Sequence, residues 1–141
     1  MAGWHDRARS AALVALALGL VSACGQGRAP TVDVLPPPDT PDTGGPYQVT
    51  AIIQAQSVIT RAAVRWFVGD DQAAAQPLPM VHEDGTDRWT AEIPGQPAGA
   101  VVQFTVEVDD DEGHEVIRPA AATDGGNAPT YRFNVLGSAG G

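Results

Sequence analysis

Apolar and polar residues alternate with a period of two in five separate segments of this chain, and turn formers interrupt each segment before it grows long. That pattern limits the chain to sheet structure, because a strand points successive side chains to opposite faces whereas a helix would need a 3.6-residue repeat. In "YQVTAIIQA" one face carries Tyr47, Val49, Ala51 and Ile53; in "AAVRWFV" it carries Ala62, Val64, Trp66 and Val68, with Arg65 opposed. Trp89, Ala91 and Ile93 alternate with Arg88, Thr90 and Glu92, and Val102, Phe104, Val106 and Val108 alternate with Gln103, Thr105 and Glu107. Tyr131, Phe133 and Val135 complete the set. Breaks fall at Gly69-Asp70-Asp71, Asp84-Gly85, Gly95 to Gly99, Glu112-Gly113 and Gly125-Gly126-Asn127. Short strands at regular spacing with polar outer faces predict an all-β chain folded as a single antiparallel β-sandwich. Trp66, Trp89 and Phe104 are the expected centre of its core.

Of the 141 residues, 46–136 carry this pattern and form the expected domain, followed by a flexible tail over 137–141. The region before it divides in two. Residues 1–23 open with Arg7 and Arg9 and continue as "AALVALALGLV", about eleven apolar residues, too few for the ~20 that a membrane-crossing helix needs. A basic start, a short apolar core and small residues at its end read as a cleaved secretory signal peptide. Residues 24–45 form the expected linker. From Gln26 to Pro46 the chain holds six prolines and no apolar period, which predicts an extended spacer of roughly 60 Å at ~3.1 Å per residue.

The single cysteine of the chain, Cys24, lies between these two regions in "LVSAC". Val21, Ser22 and Ala23 before it resemble the lipobox of bacterial lipoproteins. The resemblance implies that the Cys24 thiol receives a diacylglycerol, that the chain is cut just before it, and that acyl chains such as palmitate anchor the new N-terminus in a membrane. A thiol suits that chemistry as the best nucleophile among side chains, and two or three acyl chains give stable anchoring where one is marginal. Gly25, not Asp, follows the cysteine; in two-membrane bacteria that implies the outer membrane.

The order and wording of the strand segments resemble the fibronectin type III and immunoglobulin-like modules of bacterial surface proteins. "GPYQVTA", "VRWFVG", "DGTDRWTAEIPGQPAG" and "VQFTVEVDDDEGHE" carry the resemblance, which spans about Gly45 to Leu136. The antibody-type cysteine pair around a tryptophan is missing, so stability has to come from the core alone.

A formal charge of −9, with arginine as the only basic residue other than histidine, excludes nucleic acid as a partner, because each phosphate contact would work against the net field. The domain holds one serine, Ser57, and two histidines, His82 and His114, with no nucleophile elbow around the serine; the chain is not expected to be an enzyme. "HEDGTD" reads as a hairpin turn in which Asp84-Gly85 supplies a positive φ, although His82, Glu83, Asp84 and Asp87 could also ligate a metal. In "VDDDEGHE" the carboxylates of Asp109, Asp110, Asp111 and Glu112 repel one another, and a calcium ion with its six to eight oxygen ligands would relieve that repulsion. The alternative is a solvated tip that protects sheet edges from aggregation. Phe67 and Ile52 alternate away from their core faces; Phe67 is either a surface contact for a sugar ring or partner protein, or is covered by "AAAQPLPM". Together these features predict a lipid-anchored cell-envelope protein that presents its module to an envelope protein or glycan, with a calcium- or carbohydrate-binding module as the alternative.

Overall fold

A computed structural model describes residues 27–120 and 129–137, and these form two antiparallel sheets packed face to face. The first sheet has the order β1 (Thr31–Leu35), β2 (Tyr47–Gln54), β6 (Arg88–Ile93), β5 (Val81–His82). The second runs β4 (Gln76–Pro79), β3 (Ile59–Val68), β7 (Val101–Asp110). Along the far edge of β7 lie two short strands end to end: β8 (Glu115–Arg118) pairs with Val106 to Asp109, and β9 (Tyr131–Asn134) with Val101 to Phe104.

The core follows from the alternation. Val49, Ile93, Val64, Val102, Phe104, Val106, Val108 and Phe133 are all at most 1% exposed, and each comes from a face read as apolar in the sequence. Burying one such side chain contributes roughly 1.5–3 kcal/mol. The tryptophans depart from expectation: Trp66 and Trp89 are only partly buried and pack against the margin of the core. Their positions explain this. Trp66 lies near the C-terminal end of β3, paired across to Phe104 of β7, and Trp89 near the start of β6; Phe104 is fully buried, and both indoles pack against the core from strand ends.

Phe67 is corrected as a candidate surface contact. It is 7% exposed, because the chain after β3 makes a short 3-10 turn at Gln72–Ala74 and returns as β4, which brings Gln72 and Ala75 beside the ring. The covering segment is the one the sequence offered as the alternative. Ile52, on the outer face of the first sheet, is half-buried.

The extended spacer is also corrected. Thr31 to Leu35 pair with Gln54 to Thr50, and Val32 is buried in the core, so the folded unit begins well before residue 46. Pro36, Pro37 and Pro38 then end the strand, since none has an N–H to donate. The chain crosses to the other sheet, where Thr40 bridges Val135 in parallel. The Thr40 amide donates to the Asn134 carbonyl at 2.9 Å, and the Leu136 amide donates to the Thr40 carbonyl at 2.8 Å. Asp39 secures the crossing by accepting from the Asn134 amide at 2.7 Å and from its side-chain nitrogen at 3.1 Å. The prolines thus act as a corner between sheets.

Candidate functional site at the acidic turn

The β7–β8 turn carries the acidic run, and the strand period separates its members. Asp109 points to the outer face of the second sheet. There Arg61 of β3 donates through Nε to Asp109 at 2.9 Å and through Nη2 to Glu107 at 2.9 Å, and Arg65 stands 3.9 Å from Glu107. These bonds, that to Asp109 foremost, push the Arg61 pKa up. The other oxygen of Asp109, Oδ1, is buried without a hydrogen-bond partner among the described residues.

Asp110 turns the other way and is 6% exposed. Its Oδ2 accepts from the Ser57 hydroxyl at 2.6 Å and lies 2.8 Å from Nδ1 of His114. Its Oδ1 accepts from the backbone amides of Glu112 at 3.0 Å and His114 at 2.8 Å. Burial by itself raises the carboxyl pKa, but the bonds from Ser57, His114 and Glu112 outweigh it and hold Asp110 well below the usual carboxylate range. Asp111 belongs to a third set: its amide donates to the Val58 carbonyl at 2.9 Å, and its Oδ1 accepts from the Val58 amide at 3.1 Å. Glu112 accepts from the Gly27 amide at 2.9 Å.

The four carboxylates therefore do not share one oxygen cage. Asp109 is tied to Arg61 and Asp111 to Val58, while the trio whose ligand atoms converge within 4.8 Å is Asp110, Glu112 and His114. His82 lies elsewhere, in the β5–β6 hairpin, its ring stacked on Trp89 at 4.6 Å and its Nε2 placed 2.7 Å from the Thr86 carbonyl. The Asp84-Gly85 turn has the expected form, with φ of 78° at Gly85.

A serine, an aspartate and a histidine meet at this turn, but in the wrong order for nucleophilic catalysis. A base must touch the nucleophile it activates, with the carboxylate behind the base. Here the carboxylate stands in the middle and both Ser57 and His114 address it. What the arrangement does is tie the β2–β3 turn to the β7–β8 turn through one buried anion. Sequence reasoning weighed Ser57 only as a nucleophile and passed over Arg61, because both act across more than 40 residues of chain. The Asp110 to Gly113 spacing was the readable signal, since an aspartate that binds amides two and four residues on makes a compact turn. Cys24 lies outside the described residues. The chain matches no protein-family model, and no curated protein shows significant similarity to it.

Proposed function

We propose that this is a lipid-anchored, non-enzymatic protein of the cell envelope, held by acylated Cys24, on the outer membrane in a cell with two membranes, and presenting its β-sandwich to a protein partner. The observation that carries the reading is how soon folding starts after the lipobox-like sequence. Gly27 is already hydrogen-bonded to Glu112, three residues past the only thiol of the chain. The Ser57–Asp110–His114 set supports recognition over catalysis, because its groups are spent on joining two turns. The fibronectin or immunoglobulin-like reading draws support from strand order: β1-β2-β6-β5 parallels the A-B-E-D sheet of immunoglobulin-type sandwiches, and β3-β7 followed by β8 and β9 parallels C-F-G, with β4 as an added edge strand beside C. Replacing Cys24 by Ala tests the anchor. The parent chain is expected in the membrane fraction with a mass increased by acyl chains, and Cys24→Ala in the soluble fraction; a variant that stays in the membrane refutes the anchor.

A second reading, the metal-binding module, rests on the convergence of Asp110, Glu112 and His114. An imidazole is a poor partner for calcium and a good one for zinc or another transition metal, so the trio moves the expected cation away from calcium. A thermal melt with calcium, with zinc and with chelator separates them: a metal that binds the folded state alone raises the midpoint. An unchanged midpoint in all three leaves the turn a structural element.

A further inference from the structure

At the end of the sandwich that carries the acidic turn, the two sheets part and leave a cleft of about 310 Å³. From the first sheet it is lined by Ile53, His82 and Trp89, from the β2–β3 turn by Val58 and from the second sheet by Ile59, with Asp87 at the β5–β6 hairpin. Ile53, Val58, Ile59 and Trp89 supply its apolar surface, and Ser57, Thr86 and Asp87 its polar one. Its walls are held in place: His82 is stacked on Trp89 at 4.6 Å, and Val58 is clamped by the two bonds between its backbone and Asp111. Val58 is nonetheless 66% exposed, an apolar side chain fixed in position and left facing solvent.

Charge completes the picture. Glu83, Asp84 and Asp87 stand on the hairpin at one side, and Asp111 and Glu112 on the turn at the other. The arginines at this end are mostly committed: Arg61 to Glu107 and Asp109, and Arg88 to Glu83 at 3.7 Å, while Arg28 lines a neighbouring groove beside Gln54 to Gln56. Among the described residues the Asp87 carboxylate has one hydrogen bond, a long contact with Gln54 at 3.4 Å. Apolar side chains beside the Asp87 carboxylate complement a side chain with an apolar stem and a cationic head, which describes Lys and Arg.

We infer that the cleft bounded by Val58, Trp89 and Asp87 is a docking site for a long basic side chain carried by a polypeptide partner. This deepens the recognition half of the proposed function and does not depend on the lipid anchor. The probe is Nα-acetyl-arginine methylamide, with the neutral isostere Nα-acetyl-citrulline methylamide as control, titrated into the isotope-labelled full chain. The readouts are the Trp89 indole N–H and the Val58 amide resonance. The arginine probe is expected to shift both with a Kd of about millimolar order, as suits so small a ligand, and Asp87→Asn to weaken it on the order of tenfold. High salt should weaken it as well. Equal shifts from citrulline, no effect of Asp87→Asn, or no shift at all would each overturn the cleft as a cation site. A chain that remains membrane-bound yet ignores the probe refutes this inference and leaves the anchor standing.

Discussion

Asp110 shows how one side chain can decide whether an acidic turn is a liability or a fastening. Its carboxylate is buried, and four donors from Ser57, Glu112 and His114 meet it, so the charged form is the one that fits. Replacing it with Asn puts an amide group against donors, and the Asp110→Asn midpoint is expected to fall by roughly 5–15 °C. Ser57→Ala, which removes one donor and keeps the anion, should cost about half as much. The pH dependence has a definite sign. A carboxyl whose pKa is lowered on folding contributes stability that is whole above its unfolded value of about 4 and is lost as pH falls through that value toward the depressed one. Asp39, lowered by its bonds from the Asn134 amide and side chain, acts in the same direction. Melts between pH 6 and pH 2 should therefore decline less steeply for Asp110→Asn than for the parent chain; parallel curves would show that Asp110 is not the group being titrated. The sequence made the acidic run conspicuous but not its division, because which carboxylate meets Arg61 and which meets Ser57 depends on a strand pairing between residues about fifty apart.

Among the elements, those with a long alternation were legible and those without it were not. β2 and β7 each alternate over eight residues or more, and their inward faces proved to be the core. β1 offers only five residues and is followed directly by three prolines, so its local pattern resembles a spacer; pairing with β2 makes it a strand. β3 misled in another way. Its outer face carries Phe67, and period two alone cannot tell that the next segment will fold back over it. The place of β1 in the domain has a direct test. A fragment that starts at Gly45 loses the strand, uncovers the edge of β2 and removes buried Val32, whereas one that starts at Gly27 keeps all three. The shorter fragment is expected to melt more than 10 °C lower and to aggregate through its open edge. Equal midpoints would restore the spacer reading.

For the whole molecule, the early start of the fold changes how an anchored domain would stand on a membrane. A spacer of about 60 Å would let it tumble far from the bilayer, but only two residues, Gly25 and Gln26, separate Cys24 from Gly27, at most ~10 Å of extended chain. Gly27 lies against Glu112, so the end of the sandwich with the β7–β8 turn would face the lipid headgroups. Leu136 lies at the other end, since β9 pairs with the start of β7, about 30 Å along a ten-residue strand from Asp110. The acidic end would thus sit within reach of anionic headgroups, whose repulsion is felt over ~8 Å at physiological salt. The prediction can be read with a fluorophore on a single introduced cysteine in the lipidated chain, where Cys24 itself is blocked by its acyl group. Val58→Cys and Leu136→Cys are suitable positions, because both side chains are well exposed. Headgroup spin labels should quench the probe at position 58 much more than at 136, and anionic lipid should reduce that difference by pushing the acidic end away. Equal quenching at the two positions would mean that the domain turns freely on its anchor, and that the contact between Gly27 and Glu112 does not hold at the membrane.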